Sequence, residues 1–290
     1  MRSGLVPVVG RPNVGKSTLV NALVGSKVSI TSVRPQTTRN AIRGVLNLAE
    51  AQLVFIDTPG LHKPRTALGE RLNRLVYGTL AEADVVLLVL DATQKVGPGD
   101  RLIAGRLLEA ESPVVVAVNK VDLAAKQQVV ERLVEAEAFD FEAYLPVSGL
   151  QRSGLQPLAD ELAERLPEGP RYFPADVRTD QPDELLAAEI VREKFLARLR
   201  EELPHSLTVS LQEMQQRANG ALYLAADLVV ERGSQKGMVI GRGGDLLRAA
   251  GTEARGELEA IFGTKVFLDL RVKVERDWQR HPQLLDRLGF

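Results

Sequence analysis

Short apolar runs alternate with stretches of helical periodicity over the first 166 residues of the chain. Apolar segments of strand length lie at 5–9, 52–56, 85–90 and 112–118, and helical patterns lie at 18–25, 99–110 and 126–138. This alternation is typical of an α/β domain with a doubly wound, mostly parallel sheet that carries helices on both faces. Pro7 falls inside the first strand, where it removes a ladder hydrogen bond, so we expect a bulge or an unpaired position there.

The second part of the chain follows a different order. Three prolines and a glycine between residues 166 and 174 interrupt the alternation, as is typical of a linker. Beyond them come a long amphipathic helix at 183–202, strands at 206–213 and 221–231, a glycine turn at 241–244 flanked by helices, and a strand at 265–274. That order predicts an α+β module. We predict a first domain at 1–168, a linker at 169–180 and a second domain at 181–290.

The composition narrows the class of protein. At 290 residues the chain exceeds a usual single domain, and 44% hydrophobic residues suffice for a packed core. No apolar run approaches membrane-spanning length, and the absence of cysteine excludes a disulfide framework and thiolate-bound zinc. The histidines at 62, 205 and 281 are too scattered to predict a metal cluster, and we expect them on the surface or in loops.

Charge and the N-terminal residues add two expectations. The net charge is −1, so any basic surface must be local. A glycine-rich loop occupies the place where a signal peptide would lie, and we therefore expect a cytoplasmic protein.

Residues 10–17 carry the clearest chemical signal. Gly10 is followed after four residues by Gly15, Lys16 and Ser17, the spacing of a loop whose backbone N–H groups bind phosphates. Lys16 is expected to contact the β- and γ-phosphates and Ser17 to place its hydroxyl on Mg²⁺. A helix should begin there, so that its positive end faces the anion. A glycine-rich turn with a chance lysine is the alternative for this motif alone.

Two further motifs follow apolar strands. Asp57 ends one strand, where it is suited to hold the metal, and the N–H of Gly60 can reach the γ-phosphate. After another strand, the Asp122 carboxylate matches the ring N–H and the exocyclic amine of guanine, a pair of donors that adenine lacks. Asn119 can bond both the base and the phosphate loop, and the Lys120 stem can lie over the ring. In this order the three motifs predict that the nucleotide is GTP.

The loop after the next strand is expected to supply a fourth base contact. Ser148 and Gly149 stand in the right place, although Leu150 follows where a lysine usually packs on the base. The predicted nucleotide contacts are therefore Gly10, Asn13, Val14, Gly15, Lys16, Ser17, Thr18, Asn119, Lys120, Asp122, Ser148 and Gly149.

Residues 239–247 resemble the core of a KH domain, whose glycine loop clamps single-stranded nucleic acid. The small residues let a sugar–phosphate backbone approach, and the helix that follows presents its N-terminus to a phosphate. Arg232 adds charge nearby, whereas Asp245 opposes it. The predicted RNA contacts are Lys236, Gly241, Arg242, Gly243, Gly244 and Arg248, and a plain helix–turn–helix connection is the alternative. Aromatic residues are only 4% of the chain, so we expect Tyr223 and Trp278 to pack rather than stack on bases.

A GTP-binding domain followed by a KH-like domain, at this length, resembles the Era family of bacterial ribosome-assembly GTPases. The resemblance covers essentially the whole chain, including the Gln-Thr-Thr-Arg segment at 36–39 and the ending at 273–278. It implies that Thr38, with Thr37 as the alternative, meets Mg²⁺ and the γ-phosphate. The candidate catalytic residues are then Thr38, Asp57, Gly60 and Lys16, and the candidate metal ligands are Ser17, Thr38 and Asp57.

The resemblance also implies what the protein does. It implies GTP hydrolysis to GDP and phosphate, and binding of small-subunit (16S) ribosomal RNA near its 3′ end during 30S subunit maturation. It further implies peripheral association with the inner membrane, and we expect a monomer. The loops at 31–40 and 60–77 are expected to reorder with the γ-phosphate.

Leu61 stands where Ras-like GTPases have a water-orienting glutamine, so we expect slow intrinsic hydrolysis. The backbone, another side chain or a partner must then hold the attacking water. GTPases with a hydrophobic residue here and an asparagine matching Asn13 include potassium-activated members. The resemblance therefore adds K⁺ to the candidate cofactors GTP/GDP and Mg²⁺.

Two other classes of function remain open on the sequence. One is a signalling GTPase whose C-terminal domain binds protein rather than RNA. The other is a GTP-consuming metabolic enzyme, for which the sequence shows no motif of a second substrate pocket. The leading hypothesis is a GTP-driven switch that binds ribosomal RNA.

Overall fold

The structure, a computed structural model, describes residues 1–32, 34, 37–61 and 64–290. Contacts between residues divide the chain into two compact units, and most of the second unit lies between Gln181 and Phe290. Among the described residues, no helix is both long enough and apolar enough to cross a membrane.

The first unit is an α/β domain. Its strands are β1 (Arg2–Val9), β2 (Ile42–Asn47), β3 (Ala51–Asp57), β4 (Val86–Asp91), β5 (Val114–Asn119) and β6 (Ala143–Pro146), and its helices are α1 (Lys16–Val24), α2 (Ala67–Ala81), α3 (Pro98–Leu107), α4 (Lys126–Glu137) and α5 (Leu155–Glu164). The sheet has the order β2-β3-β1-β4-β5-β6. Among the described strands of this sheet, only β2 runs antiparallel to its neighbour, so the prediction of a mostly parallel, doubly wound sheet is confirmed.

Burial on both faces of the sheet explains why its strands are continuous apolar runs. In β4, Leu87 and Val89 join the apolar cluster that includes α1 and α5, whereas Leu88 and Leu90 join the cluster that includes α2 and α3. The two clusters hold the strands in place from both faces of the sheet. The loops at the carboxyl edge lie outside these clusters and can therefore carry polar residues.

Pro7 occupies a regular position against β3 and an unpaired one towards β4. The β1–β3 register is continuous from Arg2 to Val8 and pairs Pro7 with Ile56. The backbone of Leu5 faces Asp84 and Val85, and Pro7, two residues on, faces the same way. The ladder with β4 begins afterwards, at Val8. The missing N–H therefore falls where the ladder has not yet started, and the unpaired alternative is the one found.

Three elements of this unit are absent from the prediction, namely the helix α5, the strand β2 and the helix α2. The strand β2 was not predicted, and α2 begins at Ala67, so the expectation of a loop through residue 77 is wrong in its second half. Leu68, Leu72 and Val76 are buried at four-residue spacing. Val76 belongs to the apolar cluster that includes β4, so the helix packs against the sheet at this residue.

Residues 169–180, predicted as a linker, lie along the edge of the sheet. The Val45 N–H donates to the Arg178 carbonyl at 2.8 Å, and Arg43 forms an ion pair with Asp180 at 2.8 Å. The buried Gln52 side chain donates to the Phe173 carbonyl at 2.8 Å. Because β2 is an edge strand, its outward backbone groups need partners, and this segment supplies them. By its contacts it belongs to the first unit.

The second unit is an α+β module. Its elements are α6 (Asp183–Leu196), α7 (Leu203–Ser206), β7 (Thr208–Gln216), β8 (Leu222–Val230), α8 (Gly233–Ile240), α9 (Asp245–Phe262), β9 (Val266–Val274) and α10 (Pro282–Arg287). The sheet has the order β7-β8-β9, with β8 antiparallel to β7 and parallel to β9. Alternate β8 residues from Leu222 to Val230 face a core shared with α6 and α9.

The first helix of this unit is shorter than predicted. It ends at Leu196 rather than at residue 202. Glu201 has a left-handed φ of 56°, a conformation that a right-handed helix cannot include. The next helix starts at Leu203 with a proline in its first turn.

Candidate nucleotide site and nucleic-acid interface

The phosphate loop joins β1 to α1 at the carboxyl edge of the parallel strands. Gly15 has a φ of 95°, and a Cβ at this position would lie 2.4 Å from the side-chain amide of Asn119. Only glycine fits there, because both the backbone conformation and the close approach exclude a side chain. The loop is thus closed against the β5 end, and α1 begins immediately at Lys16 with no side-chain cap. Its free N–H groups face the loop interior, as an anion site requires.

Lys16 is buried, with 7% of its surface exposed. Its Nζ donates to the carbonyls of Gly10 at 3.1 Å and Arg11 at 3.0 Å. Burial lowers the pKa of Lys16 to about 8, although the nearby Asp57 carboxylate acts in the opposite direction. A buried ammonium that is held mainly by carbonyl dipoles lacks counter-charge. Phosphate oxygens would supply it.

Ser17, Thr38 and Asp57 converge beside the loop. The Ser17 and Thr38 hydroxyls lie 3.0 Å apart, and Thr38 Oγ1 donates to Asp57 Oδ2 at 3.3 Å. Burial raises the pKa of Asp57, against hydrogen bonds from Ser17 and the charge of Lys16. Among the described residues, no group hydrogen-bonds its buried Oδ1. Two hydroxyls and a carboxylate with an unused oxygen fit Mg²⁺, a hard cation that prefers oxygen ligands.

The same geometry distinguishes between the two candidate threonines. Both Thr37 and Thr38 are largely buried, but the Thr38 hydroxyl is the one placed between Ser17 and Asp57. Thr38 therefore takes the place that the resemblance assigns to the threonine that meets Mg²⁺ and the γ-phosphate.

Asn119 links the phosphate loop to the loop that contains Ser148 and Gly149. Its Nδ2 donates to the Val14 carbonyl at 3.0 Å, and its Oδ1 accepts the Gly149 N–H at 3.0 Å. The three loops that carry the predicted nucleotide contacts are thereby fixed at one edge of the sheet. Gly149 also has to be small, because an added Cβ would lie 3.0 Å from the backbone of Leu19 in α1.

Asp122 is oriented by a side chain that we did not predict to act in this way. The Ser148 hydroxyl, fully buried, donates to Asp122 Oδ1 at 2.6 Å. We predicted Ser148 as a contact to the base, not as a hydrogen-bond donor to Asp122. A carboxylate oxygen can accept more than one hydrogen bond, so both oxygens of Asp122 remain able to accept from guanine.

The Lys120 side chain contacts both the phosphate loop and the end of β4. Its Nζ donates to the Asn13 carbonyl at 2.6 Å and to Asp91 Oδ2 at 2.7 Å. Asp91 was not predicted as a site residue. Its signal in the sequence is its place at the carboxyl end of an apolar strand, where Asp57 and Asn119 also stand.

The remaining predicted contacts lie around these groups. Thr18 follows Ser17 in the first turn of α1, Asn13 is exposed on the phosphate loop, and the backbone of Gly60 lies against Pro12. Leu61 packs beside the apolar cluster of β4 and α3, so its side chain offers no polar atom to a water. Val33, Pro35, Gln36, His62 and Lys63, parts of the two expected switch loops, lie outside the described residues.

The predicted RNA contacts gather around the turn between α8 and α9. Gly241 has φ 78° and ψ 174°, and a Cβ there would lie 2.7 Å from Leu246, so this glycine is required by the fold. Gly243 and Gly244 also have positive φ, but an added Cβ would meet nothing within 4 Å at either position. The space above them is open to a ligand backbone.

Exposed cations lie on both sides of this turn in the chain. Lys236, Arg242 and Arg248 are exposed, although Arg248 forms an ion pair with Asp245 at 3.1 Å. Such exposed pairs are weak and easily rearranged, which accounts for an aspartate in a basic region. Arg242 is the exposed cation within the turn itself, shortly before α9 begins at Asp245.

The two aromatic residues behave differently. Trp278 is fully buried and donates its Nε1–H to the Ser206 carbonyl at 2.9 Å, as expected of a packing residue. Tyr223 stacks instead on Phe267, which is 55% exposed, with Arg217 over both rings.

The site as a whole can bind a guanosine phosphate and support phosphoryl transfer. Mg²⁺ held by Ser17, Thr38 and Asp57 would neutralise charge on the β- and γ-phosphates. Lys16 and the N–H groups at the start of α1 would hold those phosphates, and Asp122 would contact the base. Because Leu61 cannot polarise water, positioning of the water falls to backbone groups, to another side chain or to a partner.

Known proteins resemble the chain over its whole length. The family model of the 50S ribosome-binding GTPases matches residues 5–120, and that of the KH domain matches residues 202–279. GTPase Era of Nocardioides sp. (strain ATCC BAA-499 / JS614) is 50% identical over 301 residues, which cover 100% of this chain and 96% of that protein. GTPase Era of Mycobacterium tuberculosis (strain ATCC 25618 / H37Rv) is 50% identical over 295 residues, 99% of this chain and 98% of that protein.

Two solved structures share the fold of the entire chain. One is Era in complex with MgGDPNP and nucleotides 1506–1542 of 16S ribosomal RNA, with a TM-score of 0.96, 39% identity and coverage of 100% of this chain and 99% of that chain. The other is a variant of Aquifex aeolicus Era bound to GDP·AlF4⁻, with a TM-score of 0.95, 39% identity and the same coverage. With relatives this similar over its full length, and with a GTPase model followed by a KH model, the chain belongs to the Era family of GTPases.

Proposed function

We propose that the chain is a GTP-driven switch that binds 16S ribosomal RNA near its 3′ end and assists maturation of the 30S subunit. The turn between α8 and α9 carries the RNA part of this proposal: Gly243 and Gly244 leave open space beside exposed Arg242. A sugar–phosphate backbone can approach such a turn closely, as in other KH domains. The similarity to the Era complex with nucleotides 1506–1542 of 16S ribosomal RNA supports the choice of RNA.

Helix geometry adds a physical reason for phosphate at this turn. Gly244 is the left-handed residue before α9 and supplies no side-chain cap, so the first N–H groups of an 18-residue helix are available to an anion. Arg242 and Lys236 contribute charge next to them. Phosphate contacts position a strand without reading it, so base preference has to come from the groove beside the turn.

Binding of the 3′-end RNA tests the proposal directly. The full chain, loaded with GDPNP or with GDP, would be mixed with an RNA of nucleotides 1506–1542 of 16S ribosomal RNA and with a shuffled RNA of equal length and composition. We expect tight binding of the natural RNA in the GDPNP state and weaker binding of the shuffled RNA. Equal affinity for both RNAs would contradict the proposal. No RNA binding combined with capture of a protein partner would favour a signalling GTPase.

Hydrolysis then serves as a timer for release from the RNA. The γ-phosphate is sensed by Thr38, whose hydroxyl lies in the Ser17–Asp57 cluster, and by Gly60 beside the phosphate loop. Loss of the γ-phosphate removes the ligand that holds both segments. The apolar Leu61 makes this step slow without a partner.

We further propose that K⁺ accelerates hydrolysis through Asn13. This residue is exposed on the phosphate loop with a φ of 66°, and a cation there would add positive charge where negative charge develops. Turnover of GTP should be several-fold faster in KCl than in NaCl of equal ionic strength, and Asn13→Ala should remove the difference. Equal rates in the two salts would count against the cation role.

The other expectations of the resemblance stay predictions. They are a monomeric state, a cytoplasmic location and peripheral contact with the inner membrane. Family membership supports them, and sedimentation of the purified protein with and without anionic vesicles would check the first and the last.

A further inference from the structure

Asp91 is a buried carboxylate at the carboxyl end of β4. It is 3% exposed and pairs in register with Asn119 of β5. Oδ1 accepts the Thr93 N–H at 2.9 Å and the Thr93 hydroxyl at 2.6 Å, whereas Oδ2 accepts Lys120 Nζ at 2.7 Å and, more weakly, Gln94 Nε2 at 3.4 Å. The carboxylate is therefore held rigidly and presents one oxygen to Lys120.

Lys120 is fixed between two parts of the site. Its other acceptor is the Asn13 carbonyl of the phosphate loop, at 2.6 Å. Its backbone is left-handed, with a φ of 67°, and 27% of its side chain is exposed. With both ends of the side chain fixed, the four-carbon stem has a defined course between the base loop and the phosphate loop.

The charge state of Asp91 agrees with this arrangement. Burial alone opposes its ionisation, but the hydrogen bonds from Lys120 and Thr93 outweigh burial and lower the pKa of Asp91. The residue is charged at neutral pH. Apolar residues of similar volume often replace a buried ion pair without loss of stability, so this pair is weak evidence for a purely stabilising role.

We propose that Asp91 is a positioning residue for guanine nucleotides, which acts through Lys120 by holding the lysine stem in place for the base. Without Asp91, the ammonium keeps a single anchor and can turn towards solvent. The bound nucleotide must then order a long, flexible side chain, which weakens binding. The proposal concerns the GTP site alone, so its outcome is independent of the RNA-binding proposal.

A double-mutant cycle on the full chain tests the proposal, with dissociation of a fluorescent GDP derivative as the readout. Asp91→Asn should accelerate dissociation about tenfold, the loss expected for a hydrogen bond to a charged group. In a Lys120→Met background, which keeps an apolar stem without the charge, the same substitution should change the rate by less than about twofold. Equal effects in both backgrounds, or no effect in the first, would overturn the proposal.

Two further variants separate positioning from folding. Thr93→Val removes the hydroxyl that holds Oδ1 but leaves Lys120 and the carboxylate intact. It should accelerate dissociation about threefold, and only when Lys120 is present. Asp227→Asn is the matched control, because Asp227 is a buried carboxylate that pairs with Lys273 at 2.6 Å in the second unit. It should leave GDP dissociation unchanged, and an effect equal to that of Asp91→Asn would contradict the proposal.

Discussion

Asp122→Asn is expected to change the preferred base from guanine to xanthine. The carboxylate presents acceptors to the ring N–H and the exocyclic amine of guanine. An asparagine amide would keep one acceptor but set a donor against that amine. In xanthine a carbonyl replaces the amine, so the same donor finds an acceptor. The Ser148 hydroxyl, which donates to Oδ1 at 2.6 Å, can still hold the amide oxygen and so orient the nitrogen towards the base.

The expected effect is large because a polar group is left facing the wrong partner in a site built for hydrogen bonding. GDP affinity should fall by about a thousandfold or more, and XDP should bind more tightly than GDP. Titration calorimetry with both nucleotides measures this. Asp140→Asn is a suitable control, since Asp140 is exposed and its left-handed φ of 58° suits asparagine equally well. If the variant binds neither GDP nor XDP, the substitution has damaged the site rather than changed its preference for the base.

Reversing the charge of the turn between α8 and α9 should remove RNA binding while leaving the fold intact. The double variant Arg242→Asp, Gly243→Asp replaces one positive charge by two negative ones where a phosphate backbone is expected. Affinity for the 3′-end RNA should fall by about a hundredfold at moderate salt, and its salt dependence should become shallower. Gly243 tolerates the change, because its φ of 59° is accessible to aspartate and an added Cβ meets nothing within 4 Å.

The structure provides controls for both folding and charge. Arg255→Asp removes an exposed arginine farther along α9 and should alter RNA affinity only slightly. Gly241→Ala would force a Cβ to within 2.7 Å of Leu246 and should lower the melting temperature. If Arg255→Asp weakens RNA binding as strongly as the double variant does, the turn is not the RNA contact. If the double variant lowers the melting temperature as Gly241→Ala does, its loss of RNA binding reflects damage to the fold.

The parts of the fold that could be predicted are those in which local pattern and tertiary role agree. Strands such as β4 and β5 are buried at every position and apolar up to their last residue, because the sheet is covered on both faces, and such runs stand out in the sequence. The strand β2 is an edge strand that carries Arg43 and Gly44 among apolar residues, so it gives a weak signal. Its place is set by pairing with β3 and by the segment 169–180, neither of which is local.

The residues of the candidate site also fall into those that a local pattern predicts and those that depend on tertiary contacts. Lys16, Asp57, Asn119 and Asp122 could be found because each belongs to a short motif whose spacing has a chemical meaning. Asp91 and the Ser148 side chain could not, because they act on other side chains, Lys120 and Asp122, that lie 29 and 26 residues away in the chain. The place of Asp91 at the carboxyl end of an apolar strand marks it as a candidate site residue, but nothing near it in the sequence identifies Lys120 as its partner.

The sequence alone was enough to determine the nucleotide, the order of the two folds and the family. Motif spacing and hydrophobic period are local properties, which depend only on residues close together in the chain. The tertiary structure decided which threonine joins Ser17 and Asp57, where the chain at 169–180 lies, which glycines of the RNA turn are open, and which buried carboxylate anchors Lys120. Each of these depends on distances between residues far apart in the chain. Only packing of the folded sheet brings them together.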